Sequence, residues 1–143
     1  MLIEESREFD IDPAVVWRRV SDIEHIPEYW HGTKYITVSE RNGPRMSADV
    51  NFAFGGEGEA DIIVADAERT VTITYISGPF AGTQTIKVGD GAVKARWEIK
   101  FKGMFRLVSS WNEGHFRSGT VHALERLCAP EQALSNSRAA QSA

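Results

Sequence analysis

The sequence predicts an α+β domain in which a curved antiparallel sheet of seven strands surrounds a long C-terminal helix. Between residues 33 and 101, apolar and polar side chains alternate in segments that short turns separate, and residues 104–129 then show helical spacing. Short hairpins make consecutive strands antiparallel neighbours, and one amphipathic sheet and one long helix must share a core. We therefore expect one domain over residues 1–129 and a flexible, polar C-terminal tail over residues 130–143.

Two short helical segments are expected after the first strand, which covers residues 2–11. Asp12 can cap the first helix, and Pro13 suits its first position. The apolar face of this helix has a spacing of three and is formed by Ala14, Trp17 and Val20. Trp17 is therefore expected to be buried between the helix and the sheet. Pro27 limits the regularity of the second segment.

The strands that follow are defined by a strict alternation of side chains. On one strand, the apolar face consists of Met46, Ala48, Val50, Phe52 and Phe54. On the last strand, it consists of Val93, Ala95, Trp97, Ile99 and Phe101. The pairs Asn42-Gly43 and Asp90-Gly91 predict hairpins with type I′ turns. The inward faces from residue 45 to residue 101 carry no carboxylate, lysine or histidine, so they offer no positioned general acid or base.

The long helix has an inner stripe that approximates to Leu107, Trp111, Ser118, Val121, Leu124 and Cys128. Gly114, Ser118 and Gly119 lie in its middle, although a glycine there costs about 1 kcal/mol relative to alanine. Two interpretations stay open: the small residues leave a cavity, or they mark a kink or a close approach of helix and strand. His115 and His122 lie two turns apart near the edge of the stripe, where each has either a structural or a ligand-binding role.

Glu5 and Arg7 on the first strand share the parity of Phe9 and Ile11. In a regular strand both would point inward, as an ion pair. A bulge or an early end of the strand would instead leave both in solvent. Both alternatives stay open.

Composition and charge argue against several functional classes. The net charge is −4 and no run of Lys or Arg forms a cationic stripe, so nucleic-acid binding is not expected. The histidines are dispersed and Cys128 is the single cysteine, so we expect neither a metal nor another cofactor. The acidic start "MLIEESREFD" is unlike a signal peptide, and no segment has the length of a membrane span. A cytoplasmic protein is expected, and a homodimer stays open.

The stretch "REFDIDPAVVWRRVSDIEHIPEYW" resembles the opening of the START-like superfamily, also called SRPBCC. The residues that carry the resemblance are Phe9, Ile11, Pro13, Trp17, Ser21, Asp22, Pro27 and Trp30. Together with the order of elements, they are most similar to the polyketide cyclase/dehydrase and lipid transport group. The resemblance implies the helix-grip fold, with a groove between the sheet and the long helix. It is specific for the fold and weak for activity, because these families differ in what fills the groove.

Counting hairpin ends places the aromatic stretch "HIPEYWH" and the loop "GPFAG" at one end of the sheet, the end that would form the mouth of the groove. The residues predicted to contact a ligand are Tyr29, Trp30, Phe54, Tyr75, Phe80, Gln84, Trp97, Trp111, His115 and Ser118. Most are apolar, which suits an apolar ligand, and Tyr75, Gln84 and the indole of Trp97 would orient it. No catalytic residue is assigned.

Three functions follow, with the first as the leading interpretation. The protein binds or carries a small hydrophobic molecule, such as a lipid, an isoprenoid, a quinone or a polyketide-like ring system. Alternatively, it is an enzyme of the cyclase/dehydrase kind, in which Tyr75, Arg7 or a histidine assists proton transfer. The third interpretation is a protein-interaction module, which a filled groove would favour.

Overall fold

The computed structural model describes residues 1–130, without the side chains of residue 105 and residues 107–112. The strands are β1 (Leu2–Glu8), β2 (Thr33–Asn42), β3 (Arg45–Phe52), β4 (Glu57–Ala65), β5 (Thr70–Tyr75), β6 (Phe80–Val88) and β7 (Ala92–Phe101). The α-helices are α1 (Pro13–Ser21) and α2 (Ser109–Leu127), and 3-10 helices cover Ile23–Glu28 and Gly103–Val108. The predicted fold class is confirmed. The predicted tail, apart from Pro130, lies outside the described residues.

The seven strands form one antiparallel sheet in the order β1-β7-β6-β5-β4-β3-β2. The first strand pairs with the last, so that Ile3 lies opposite Trp97, and α2 packs against both of these strands. The predicted alternation is confirmed at β7 and at β3, where the side chains from Met46 to Phe52 on the predicted face are buried. Phe54 lies beyond β3 and is half-buried.

The edge strand β2 carries two extra residues relative to β3. The register shifts between Thr33 and Tyr35 and again between Val38 and Glu40. These irregularities interrupt the ladder of hydrogen bonds and bend the strand locally.

Both predicted hairpins exist, but the predicted type I′ turns are wrong. In the first hairpin, Asn42 pairs with Arg45, so the loop consists of Gly43 and Pro44. Gly43 has a φ of 62°, but type I′ needs a positive φ at both central residues and the ring of proline forbids it. In the second hairpin, neither Asp90 nor Gly91 has a positive φ. The two dipeptides therefore predicted where the turns lie but not which type of turn they form.

Helix α1 begins as predicted, and one of its side chains binds the C-terminal end of α2. The Asp12 side chain accepts a hydrogen bond from the backbone N–H of Ala14 at 2.9 Å. Arg19, only 7% exposed, extends from α1 and donates hydrogen bonds to the carbonyls of Leu127 (2.9 Å) and Ala129 (2.6 Å). The last carbonyls of a helix lack intrahelical donors, so Arg19 satisfies groups that α2 itself cannot.

The predicted inward face of α1 is confirmed at Val20 but is otherwise shifted. The buried residues are Val16, Arg19 and Val20. Ala14 is exposed, and Trp17 is half-buried and donates its indole N–H to Asp66 Oδ1 at 3.1 Å. The hydropathy pattern missed this face because one of its members is an arginine that caps another helix.

The long C-terminal helix is confirmed, but its inner stripe is shifted from the prediction. The described inward residues are Phe116, Thr120, Ala123, Leu124 and Leu127. Ser118 and Val121 are exposed. Residue 118 lies about 200° around the helix from residue 116, which explains why the two cannot share a face. The side chains of Leu107 and Trp111 lie outside the described part.

Neither alternative for Glu5 and Arg7 holds as stated. Both side chains leave β1 on the side of Ile3 and extend along α2. Glu5 pairs with Arg117 at 2.9 Å, and Arg7 approaches Glu125 at 3.8 Å. These contacts connect the edge strand to α2, and neither residue belongs to the cavity lining described below.

Candidate functional site

A cavity of about 440 Å³ lies between the sheet and α2. Its walls come from the loop after the first 3-10 helix, the end of β3, the start of β6, the middle of β7 and one side of α2. The lining consists of Trp30, His31, Gly32, Thr33, Phe52, Ala53, Phe54, Phe80, Trp97, His115, Phe116, Ser118, Gly119, Thr120, His122 and Arg126. The volume falls in the range of about 300–1,000 Å³ that is typical of small-molecule sites.

Aromatic rings form the inner wall of this cavity. Phe116 on α2 meets Trp97 at a centroid distance of 5.2 Å and Phe80 at 5.4 Å, both edge-to-face. Trp30 meets Trp97 edge-to-face at 5.9 Å, and Phe52 stacks on Phe54 at 5.4 Å. Such edge-to-face and stacked pairs are favourable aromatic geometries, so the wall is well packed and apolar.

The indole of Trp97 is already hydrogen-bonded inside the protein. Its Nε1 donates to Thr120 Oγ1 at 3.0 Å, and Thr120 Oγ1 donates in turn to the carbonyl of Phe116 at 2.7 Å. These bonds fix the orientation of the ring against α2. Trp97 therefore presents its apolar surface to the cavity, and an orienting role of its N–H toward a ligand stays a prediction.

Tyr75 and Gln84 form a polar pair behind the aromatic wall. The Tyr75 hydroxyl donates to Gln84 Oε1 at 3.1 Å, and Gln84 is 2% exposed. Among the residues that the structure describes, no hydrogen-bond partner reaches Gln84 Nε2. Burial raises the pKa of Tyr75 well above its usual value, so the phenol stays protonated at neutral pH. Neither residue is part of the lining.

The titratable groups of the lining are all bases: His31, His115, His122 and Arg126. His31 Nε2 lies 3.2 Å from the carbonyl of Glu28, and His122 approaches Glu125 at 3.7 Å. Arg126 donates to the carbonyl of Tyr29 at 2.8 Å. Desolvation by burial lowers the pKa of Arg126, and nearby Glu125 opposes this shift.

The glycines of α2 face open space. A Cβ atom built on Gly114 or Gly119 would meet no atom within 4 Å, and Gly119 belongs to the lining. Close packing of helix on strand would bring atoms to this distance, so the described atoms do not support a close approach. Gly119 leaves volume at the cavity, whereas Gly114 is exposed and lies outside the lining.

The predicted ligand-contacting residues fall into two sets. The lining includes Trp30, Phe54, Phe80, Trp97, His115 and Ser118. Tyr29 is buried at 3% exposure, and it, Tyr75 and Gln84 lie outside the lining. The side chain of Trp111 is outside the described part.

The sequence analysis missed four functional candidates in the lining: Phe52, Phe116, Thr120 and Arg126. Phe52 was placed on the inward face of its strand but not at the cavity. The inner face follows a spacing of four, three and four residues through Phe116, Thr120, Ala123 and Leu127, a pattern that could have identified it.

No group of three or more metal-ligating side chains occurs within residues 1–130 as described. Over the same residues, no helix combines the length and the apolar character that crossing a membrane requires.

Comparisons with known proteins agree with this geometry. The family model described as polyketide cyclase/dehydrase and lipid transport matches residues 2–129. A comparison with functionally curated proteins gives no match.

Several solved structures share the fold. The protein TTHA0849 from Thermus thermophilus is 16% identical, with a TM-score of 0.75 over 96% of this chain and 99% of that one. A START superfamily protein from Mycobacterium smegmatis is 15% identical, with a TM-score of 0.63 over 88% and 98%. The Zhui aromatase/cyclase from Streptomyces sp. R1128 is 10% identical, with a TM-score of 0.63 over 90% and 96%.

Proposed function

Because the chain belongs to the polyketide cyclase/dehydrase and lipid transport family of the START-like superfamily, we propose that it binds or carries a small hydrophobic molecule in the cavity between the sheet and α2. The ligand class, the binding residues and a cytoplasmic location are all parts of this proposal. The bound molecule would have the size of a short lipid chain or a small ring system.

The observation that supports the proposal is the aromatic wall of the cavity. Phe54, Phe80, Trp97 and Phe116 surround an open volume of about 440 Å³ that these side chains do not fill. Transfer of apolar ligand surface from water to this wall is worth about 25 cal/mol per Å² before ordering costs. The volume also argues against the interaction-module interpretation, which a filled groove would favour.

The chemistry of the interior supports binding over catalysis. The buried polar or charged side chains of the described part, besides Tyr29, Tyr75 and the tryptophans, are Arg19, Thr33, Gln84 and Thr120. None of these is a carboxylate, lysine or histidine that would act as a general acid or base. Tyr75 is held in its neutral form, and Arg7 is paired with Glu125 away from the cavity.

A cyclase/dehydrase-type enzyme is the second candidate, and the histidines of the lining favour it. His115 and His122 both border the cavity, and a histidine side chain can accept or donate a proton. For this candidate, either residue would move a proton on a ligand held against the aromatic wall.

The test is the binding of a neutral apolar fluorophore, N-phenyl-1-naphthylamine. We expect wild-type protein to bind it with an increase in probe fluorescence. Ser118→Phe should weaken binding because Ser118 is exposed at the border of the cavity, where the ring would narrow the entrance. Val121→Phe, an exposed substitution on the same helix outside the lining, should bind like wild type. Absence of probe binding to the folded wild-type protein would overturn the proposal.

The same protein preparations distinguish a carrier from an enzyme. The protein is incubated with a polyketide-like or lipid compound, which is then extracted so that its mass can be measured. A carrier returns the compound unchanged, whereas a dehydrase or a dehydrating cyclase returns a product whose mass is lower by that of water. His115→Gln would abolish such a product if that histidine moves the proton.

A further inference from the structure

We infer that the ligand is an amphipathic carboxylic acid, with its apolar body against the aromatic wall and its carboxylate against Arg126 at the α2 side of the cavity. This inference rests on the proposed function and specifies the class of molecule that the same cavity takes. Its starting point is the distribution of charge around the lining.

Two lines of side chains run in parallel along α2. Phe116, Thr120, Ala123 and Leu127 face the core. His115, Gly119, His122 and Arg126 follow the same spacing one residue earlier, and all four border the cavity. Residues spaced four, three and four apart lie on one side of a helix. One line of α2 therefore supplies apolar contacts, and its neighbour supplies basic groups.

The acidic residues of the protein avoid this lining. The chain contains 20 Asp and Glu against 16 Lys and Arg, yet the four titratable groups of the lining are three histidines and one arginine. No carboxylate belongs to the lining, although Glu125 lies beside it and approaches His122 at 3.7 Å. A cavity bordered by basic side chains favours a ligand with negative charge.

Arg126 is the permanent charge of this group and is held in place. One guanidinium nitrogen donates to the Tyr29 carbonyl at 2.8 Å, which fixes the side chain next to the loop that carries Trp30. A guanidinium has five N–H donors, so a single carbonyl does not exhaust it, and it binds carboxylates in a bidentate geometry. Desolvation lowers the pKa of Arg126 although Glu125 is nearby, so an anionic ligand beside the guanidinium would stabilise its charge.

Gly119 makes room for the head group between the two histidines. It lies between His115 and His122 on the basic line, and a Cβ there would meet nothing within 4 Å. A larger side chain would project toward the space that a ligand crosses from the aromatic wall to Arg126. The single permanent cation matches one negative charge, as in a carboxylate, better than the charge of about −2 of a phosphate monoester.

The experiment compares three ligands that share one alkyl chain: decanoate, 1-decanol and decylamine. Each displaces N-phenyl-1-naphthylamine from the wild-type protein at neutral pH and low salt. We expect decanoate to bind at least tenfold more tightly than decanol, and decylamine more weakly than both. High salt should reduce the preference for decanoate and leave decanol binding nearly unchanged.

Arg126→Gln should reduce the decanoate/decanol preference to about one while decanol still binds. Arg117→Gln is the matched control, since Arg117 lies on α2 outside the lining and pairs with Glu5 on β1. This variant should keep the wild-type preference. The ligand series on wild-type protein needs no substitution, so it decides the inference even if Arg126→Gln does not fold.

The possible outcomes distinguish the assignment of a carboxylic acid from the proposal of a hydrophobic carrier. Equal binding of decanoate and decanol, or tighter binding of decylamine, overturns the acid assignment and leaves the hydrophobic-carrier proposal intact. Binding of none of the three, together with no probe binding, overturns the carrier proposal itself. A full decanoate preference in folded Arg126→Gln contradicts the assigned place of the carboxylate.

Discussion

Gln84 is a buried amide that uses its oxygen but not its nitrogen for hydrogen bonding to the described residues. Its Oε1 accepts from the Tyr75 hydroxyl, and its Nε2 has no partner in the described part of the chain. An unpaired buried donor costs free energy, and so does a hydroxyl that loses its acceptor. The two side chains therefore depend on each other for stability.

Tyr75→Phe should lower the free energy of unfolding by about 1–3 kcal/mol, because it leaves the whole Gln84 amide unpaired. Adding Gln84→Leu should restore most of the loss, since both polar groups are then replaced by apolar ones. Urea denaturation of the two variants measures the effect. A double variant that is less stable than Tyr75→Phe would contradict this account.

The alternation of inward and outward side chains along strands is the feature that could be predicted best from the sequence. Because strand side chains alternate with a period of exactly two, Val93, Trp97 and Phe101 had one predicted face and the structure confirms it. The inward face of a helix is harder to predict, because adjacent lines of side chains along a helix are offset by a single residue. The inward positions of Arg19 and Arg126 were not predicted, because hydropathy scales treat arginine as solvent-exposed. Such scales take no account of a backbone carbonyl to which the arginine can donate.

At the scale of elements, α2 is held by side chains from other elements at both its exposed flank and its end. Arg117 pairs with Glu5 of β1, and Arg19 of α1 reaches the carbonyls of Leu127 and Ala129. The exposed ion pair is worth little, about 0–1 kcal/mol. The buried guanidinium at the end of the helix is worth more, because hydrogen bonds to charged groups contribute about 1.5–3 kcal/mol.

Arg19→Met should therefore lower the free energy of unfolding by about 1.5–3 kcal/mol, with loss of helical circular dichroism at lower urea than wild type. Arg18→Met is the control, because it removes a cation from the same last turn of α1 but at an exposed position. That substitution should stay within about 0.5 kcal/mol. Equal effects of the two substitutions would refute the capping role.

The position of the cavity could be predicted from the order of elements, but its lining could be predicted only in part. Counting hairpin ends brought Trp30 and Phe80 to one end of the sheet because antiparallel strands alternate in direction. Alternation along a strand predicts the face of the sheet on which a side chain lies, but not its distance from the cavity. Tyr75 and Gln84 therefore have the predicted face and still lie behind the lining. In the structure, the rings of Phe80 and Trp97 lie against Tyr75.

For the whole molecule, these contacts predict an uneven stability along α2. The end near Leu127 is buried and capped, whereas Gly114 and Gly119 border open volume. Amide hydrogen exchange should therefore be slower over residues 123–127 than over residues 113–119. Saturation with N-phenyl-1-naphthylamine should slow the second group more than the first. Uniform protection along the helix, with and without the probe, would contradict this expectation.

The sheet is open, so β2 leaves one row of backbone groups without a neighbouring strand. Such an edge is a template on which further chains can assemble into aggregates. The two extra residues of β2, Lys34 and Ser39, break this row into short lengths. A strand from a second molecule would find only a few consecutive backbone groups in register. The irregular edge of β2 thus offers a second molecule less backbone to pair with than a regular strand of the same length would.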